Sequence, residues 1–228
     1  MSLIHEGKPP EERPAIETVV CFAVREEAKY FKPDPSWRCK IVVTGIGHRN
    51  ARQAITAVLE SASPQLVLTC GYAGGLNPNL KLGNVIFEVD PASGLEQQLI
   101  DSGEIAGKFY CASKIAVTAA EKQTIRHESQ ADAVEMESGI IRSVCREQGI
   151  AAATVRVISD DSSTDLPLDF NRLSKPDGNI SYGKLAAAIL QSPRSISKLR
   201  RFQRDLDMCS RNLAGTLAGL LKRIHEGN

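Results

Sequence analysis

The sequence predicts an α/β protein, one sheet with helices packed on both faces. Apolar runs of strand length recur along the chain, they are continuous rather than alternating, and segments with a helical period lie between them. Residues 1–15 are polar and proline-rich, with little to bury, and are expected to form a disordered arm. Strands are expected at "ETVVCFAV" (17–24), "CKIVVTG" (39–45), "QLVLTCG" (65–71), "NVIFEVD" (84–90), "KIAVT" (114–118) and "AATVRVIS" (152–159). In "NARQAITAVLESAS", Ala51, Ala54, Ile55, Val58 and Leu59 fall on one helical face. A second helix is expected over 137–148, stopped by Gly149. The tail from Ser195 to Ile224 reads as helical, with Leu199, Phe202, Leu206, Leu213, Leu217, Leu220 and Ile224 on its buried side. Residues 166–183 form a long loop, a length often tied to function. No repeat or linker divides the chain, so 16–228 is expected to be a single domain.

The 228 residues include 28 basic and 27 acidic ones, a net charge of +1. That balance argues against nucleic-acid binding, which needs a basic excess. Cys21, Cys39, Cys70, Cys111, Cys145 and Cys209 are scattered, without the spacing of a metal or redox motif, and are expected to be reduced thiols. No segment approaches the ~20 apolar residues of a membrane span, and no signal-peptide core stands at the N-terminus. The expectation is a cytoplasmic protein that neither inserts in membranes nor binds nucleic acid.

Four motifs and one acidic pair carry the candidate chemistry. "TGIGHRNA" (44–51) begins like a dinucleotide fingerprint, but Asn50 stands where the third glycine belongs, which excludes a nicotinamide-dependent oxidoreductase. It leaves a tight turn, or a helix N-terminus open to an anion. "TCGYAGGL" (69–76) places Tyr72, Ala73 and Gly74 in a glycine-rich wall that a flat ligand can approach closely. "VRVISDDSS" puts Ser159 and Asp160 at the carboxyl end of a buried strand, where α/β sheets bind ligands. A helix cap or turn is the plainer role for such an Asp. "FAVREEAKYF" sets Glu26 and Glu27 just after the first strand, where a first-turn acid also suits the helix dipole. In "ADAVEMESGII", Glu135 and Glu137 flank Met136 at the entry to a helix, as solvated charges or as working groups in a cleft.

Taken in order, the acid after the first strand, "TGIGHRNA", "TCGYAGGL" followed by "LKLGNVI", "AVEMES" and "VRVISD" resemble the nucleoside phosphorylase and nucleosidase superfamily, the purine and uridine phosphorylase fold. The resemblance runs from residue 17 to about 165. "SDD" followed by "LPLDF", with the serine of "VEMES", is most similar to the hopanoid-associated phosphorylases, which act on an adenosyl-lipid. The methylthioadenosine and adenosylhomocysteine nucleosidases come next.

The resemblance implies a three-layer α/β/α sandwich around a mixed, partly barrel-like sheet. It implies cleavage of the bond between ribose and a purine, with no metal and no organic cofactor. Glu137 would accept hydrogen bonds from the ribose hydroxyls, Met136 would pack on the sugar, and Glu135 would lie beside it. Asp160 would protonate purine N7 while Ser159 orients that edge, and Asp161 is the more peripheral acid. Protonation neutralises the departing base, and a carboxylate at the sugar supports its positive charge. For that work Asp160 is expected to hold its proton near neutral pH.

The nucleophile is open at this stage. Glu27 aligns with the acid that activates water in the nucleosidases, whereas the hopanoid branch uses phosphate as co-substrate. Phosphorylases carry an arginine shortly before the "CG" of the glycine wall, and "SPQLVLTCG" has none. Phosphate would have to rely on the amides of Gly45 to Gly47 with Arg49, His48, Arg52 or Thr69. The residues therefore tilt towards water. Tyr72 stands where the nucleosidases usually have serine, and is expected to narrow the site or stack on a ligand. The remaining alternatives are a phosphate-dependent phosphorylase and a nucleoside sensor without turnover. The expected partner is a small nucleoside, in a homo-oligomer of two, three or six chains.

Overall fold

The computed structural model describes residues 17–173 and 195–226. The expected N-terminal arm and residues 174–183 of the expected loop lie outside them. In chain order the strands are β1 (Thr18–Phe22), β2 (Cys39–Val43), β3 (Leu66–Gly75), β4 (Val85–Val89), β5 (Ile105–Ala106), β6 (Phe109–Cys111), β7 (Ala133–Glu135) and β8 (Ala151–Asp160). The α-helices are α1 (His48–Ser61), α2 (Glu96–Asp101), α3 (Ala119–Ser129), α4 (Ser138–Glu147), α5 (Phe170–Leu173) and α6 (Ser195–Glu226).

The sheet runs β2-β1-β3-β8-β4-β5, with β7 branching from the end of β3 and β6 pairing with β7. β2, β1, β3 and β8 are parallel, while β4 is antiparallel to β8 and β7 to β3, so the sheet is mixed. β1 explains the layers. Val20 and Phe22 point into a core with Leu68 and Val155, sealed by Leu213, Leu217 and Leu220 of α6. Val19 and Cys21 point the other way, against Ile55 and Val58 of α1 and Ile141 and Val144 of α4. Period-two alternation on a strand that is apolar throughout needs a cover on each side, and the helices provide it.

Some expectations change. Residues 114–118 are not a strand. They lead into α3, whose first turn is closed by a capping box in which the Thr118 hydroxyl accepts from the Glu121 amide and Glu121 accepts from the Thr118 amide. β2 is an apolar run at the sheet edge, with Ile41 and Val43 exposed, not a strand covered on both faces. α6 buries Leu213, Leu217 and Leu220 as expected, but Leu199, Phe202, Leu206 and Ile224 are only half-buried. All six cysteines are free. Among the described residues no helix is long and apolar enough to cross a membrane.

Candidate active site

The parallel strands β1, β3 and β8 end at one side of the sheet, and a cavity of about 420 Å³ opens there. Such a position beyond the carboxyl ends of strands suits a ligand. Each wall comes from a local feature of the chain. On β8 a bulge breaks the pairing with β3, so that Ala73 faces Ile158 but Gly74 faces Asp160. The extra residue re-aims the strand end and brings Ser159 and Asp160 both onto the cavity. At the turn from β7 into α4, Glu135, Met136 and Glu137 line the opposite wall. Phe170 of α5 and Phe202 of α6 pack with tilted rings 5.8 Å apart and close the apolar end with Leu166 and Leu206.

Arg156 organises the acidic end. It is 1% exposed in the middle of β8, and the same terminal nitrogen donates to Glu135 at 2.7 Å, to Thr69 at 3.2 Å and to Glu137 at 3.3 Å. An arginine taken out of water needs such partners. Glu135 is fully engaged: one oxygen accepts from the amides of Glu137 and Ser138 and from Arg156, the other from the Ser138 hydroxyl. Burial works to raise its proton affinity, yet Arg156 and the Ser138 and amide bonds outweigh it and hold the carboxyl below its ordinary range. Glu135 thereby caps α4 and anchors Arg156.

Glu137 is held more loosely. One oxygen accepts from the amide of Gly47 at 2.8 Å and the other meets Arg156. Burial is the main influence, Arg156 opposes it and the Glu135 charge adds to it, pushing Glu137 up to about 7. Glu27 is fixed by three backbone donors, the amides of Ala23 at 2.8 Å, Val24 at 3.1 Å and Tyr72 at 2.9 Å. Burial raises it above the ordinary carboxylate range against Arg156 and those amides. A buried carboxyl with a raised proton affinity suits proton transfer near neutral pH.

At the base of the cavity, Asp160 accepts from the Ser159 hydroxyl at 2.6 Å and its other oxygen is ion-paired with Lys122 of α3. Tyr72 lines the cavity, but its hydroxyl points away from it, to Ser210 at 2.6 Å and the Leu206 carbonyl at 3.4 Å on α6.

Ten residues singled out in the motifs share this cavity: Glu26, Glu27, Tyr72, Ala73, Gly74, Glu135, Met136, Glu137, Ser159 and Asp160. Of the residues considered for phosphate, the turn from Gly45 to Gly47 borders the cavity through Ile46, and the side chains do not line it. Arg49 and Arg52 are exposed on α1, His48 contacts the Cys111 sulfur at 3.1 Å, and Thr69 is buried beneath Arg156. Gly45 and Gly47 take left-handed φ values of 82° and 86°, and the Gly47 amide already serves Glu137. Two residues escaped sequence reasoning. Arg156 was visible as a lone charge inside "TVRVIS", and Lys122 follows the Thr118–Glu121 capping signature.

The chain is similar to known proteins. A family model described as the phosphorylase superfamily matches residues 21–88 and 97–190. A 5'-methylthioadenosine/S-adenosylhomocysteine nucleosidase of Haemophilus ducreyi is 29% identical over 153 residues, 53% of this chain and 66% of that protein. A nucleosidase of the same name from Oceanobacillus iheyensis is 25% identical over 171 residues, 60% of this chain and 75% of the other. The match thus spans just under two thirds of the first relative and three quarters of the second. Among solved structures, the futalosine hydrolase of Helicobacter pylori superposes with a TM-score of 0.64 at 16% identity, over 91% of this chain and 98% of its own. The S-adenosylhomocysteine nucleosidase of Streptococcus pyogenes does so with 0.66 at 13% identity, over 93% and 99%. At such identities the likeness speaks for the fold.

Proposed function

The chain belongs to the phosphorylase superfamily, and from that membership we propose that it hydrolyses the N-glycosidic bond of a purine nucleoside, an adenosyl derivative above all. The observation that carries the reading is one cavity flanked by Glu27, Glu137 and Asp160, with the buried Arg156 behind it already committed to carboxylates. The related nucleosidases named above support the choice of an adenosyl substrate.

In this reading the purine lies on the glycine wall of β3 with its N7 edge at Asp160, and the ribose lies on Met136 with its hydroxyls at Glu137. As the bond lengthens, positive charge grows on the sugar among buried carboxylates, where opposite charge counts for more than in water. Asp160 gives a proton to N7 and the base leaves neutral. Glu27 takes a proton from a water attacking the sugar carbon, which completes hydrolysis to free base and free sugar. Phosphate fits this site poorly. It carries nearly two negative charges and needs fixed donors, whereas no arginine lines the cavity among the described residues. Lys114, at the rim, is largely exposed and faces Glu121.

Incubation with 5'-methylthioadenosine and with adenosine, each with and without phosphate, followed by chromatography, tests the reading. Adenine and free sugar should form equally in both conditions. Formation of sugar 1-phosphate only when phosphate is present would overturn hydrolysis, and absence of free base would overturn the activity. Asp160→Asn should lower base release on the order of 10²-fold or more.

A further inference from the structure

Lys122 is fully buried on α3. A lysine is almost never fully buried unless paired, and here each of its three protons has an acceptor. Its ammonium donates to the carbonyls of Asp161 at 2.7 Å and Thr164 at 2.8 Å, and the third direction is closed by Asp160. No N–H remains to reach a ligand, so Lys122 acts on the cavity only through its neighbours. It meets the oxygen of Asp160 opposite the one that accepts from Ser159. The carboxyl is therefore held from both sides at the bulged strand end that lines the cavity. Its other neighbours are spoken for, since Glu121 closes the α3 capping box and the Asp161 carboxylate accepts from Ser163 and Thr164.

The charge pattern gives this pair its meaning. At the sugar end three buried carboxyls share one arginine, an excess of negative charge that favours a cationic sugar. Once Asp160 has given its proton to the base, the carboxylate left facing the base would draw that proton back. An ammonium directly behind that carboxylate stabilises its charge and favours the transfer.

We propose that Lys122 is a positioning residue for departure of the base: it aims Asp160 at the purine edge and neutralises the wall from which the base leaves. Lys122 itself transfers no proton; the proton moves from Asp160 to the base nitrogen, and the ammonium keeps all three of its own. This rests on the reading of Asp160 as the acid at N7.

The test compares a leaving group that needs protonation with one that does not. Wild type, Lys122→Gln, Lys122→Met and Asp160→Asn are assayed on adenosine and on p-nitrophenyl β-ribofuranoside, whose phenolate departs unaided. Lys122→Gln retains a donor for the Asp161 and Thr164 carbonyls, so it carries the comparison if the Met variant does not fold. For the Lys122 variants, kcat on adenosine should fall about 10²-fold while kcat on the nitrophenyl riboside falls by no more than about threefold, with KM little changed. Asp160→Asn should reproduce the same split. An equal loss on both substrates makes Lys122 merely structural and overturns the proposal, as does no loss on either. If wild type cleaves neither substrate, the activity reading itself falls and takes this proposal with it. A wild type active on both, with unsplit Lys122 variants, overturns the proposal alone.

Discussion

Arg156 reaches Glu137 across 3.3 Å from a strand to the turn that opens α4, a looser contact than the 2.7 Å bond the same nitrogen makes to Glu135. The two acids therefore differ although they stand two residues apart. Glu135 is held as a carboxylate by Arg156, Ser138 and two amides, while burial and the Glu135 charge leave Glu137 titrating near neutrality. In the proposed site Glu135 is scaffold and Glu137 is the one free to meet a ligand.

Glu137→Gln should stabilise the protein at alkaline pH while weakening activity. The native carboxyl titrates at about 7 against 4.5 for an ordinary glutamate. Between those values the folded state holds a proton that the unfolded state has lost, so this residue makes stability fall as pH rises through that window. The variant lacks that loss, and its amide oxygen still accepts from Gly47. Its Tm should exceed that of wild type at pH 8, by about 2–4 °C per kcal/mol recovered, with the gain vanishing near pH 5. Calorimetry at both pH values checks this, and a Tm below wild type at pH 8 counts against it. In kinetics, kcat/KM of wild type should climb to a plateau with a midpoint near 7, and the variant should lose that limb and its preference for ribo- over deoxyribonucleosides.

Gly71→Ala should abolish activity in a protein that still folds. Gly71 has φ +142°, and a Cβ there would lie 2.6 Å from the Arg156 guanidinium and against the Glu27 carboxyl. Glu27 lines the cavity and Arg156 is buried behind it, and neither can retreat without losing its partners. Overpacking of this kind costs about 1–3 kcal/mol. A Tm decrease with turnover lowered on the order of 10²-fold or more is expected. Wild-type turnover would mean that Glu27 and Arg156 need not stand where they do.

Much of this was legible in the chain. β1, β3, β4 and β8 are continuous apolar runs, α1 carries a clear helical stripe, and the acids after each strand fell into one cavity. What escaped has physical causes. β6 and β7 have three residues each, too short for a periodic signal, and α3 is mostly polar, with a lysine as its buried residue. "KIAVT" has strand composition, but the Thr118–Glu121 capping box, which starts at its last residue, overrides it. The role of Arg156 depends on carboxylates 19 to 21 residues earlier in sequence, a relationship that no local pattern carries. The first half of α6 has core-like leucines and phenylalanine because it faces an apolar cavity wall, which sequence alone cannot tell from a core.

Tyr72 and Ser210 should behave as one unit. Their hydroxyls lie 2.6 Å apart and tie β3 to the part of α6 that carries Leu206 and Phe202 to the cavity. Tyr72→Phe and Ser210→Ala each remove that bond, worth about 0.5–1.5 kcal/mol. Each should raise KM more than it lowers kcat, since the apolar wall loosens while the acids stay in place. The double variant should be little worse than either single one, a coupling that a double-mutant cycle measures. Additive effects would place the two hydroxyls in separate roles.

Glu27→Gln separates water from phosphate as the nucleophile. The native carboxyl accepts three backbone N–H bonds, from Ala23 and Val24 on one oxygen and Tyr72 on the other. A glutamine has one oxygen, so its NH₂ must face at least one of those donors. The unmet buried amide costs about 1–3 kcal/mol, which should appear as a lower Tm whatever the chemistry. Activity then divides the cases. If Glu27 takes the proton of an attacking water, the amide cannot replace it, and turnover should fall on the order of 10²–10⁴-fold with no rescue by phosphate. If phosphate attacked instead, removing a negative charge beside it would leave turnover intact or raise it, and sugar 1-phosphate would accumulate. Measuring Tm together with product identity keeps a structural loss apart from a chemical one. A destabilised variant that still releases base at the wild-type rate with phosphate present would refute Glu27 as the base.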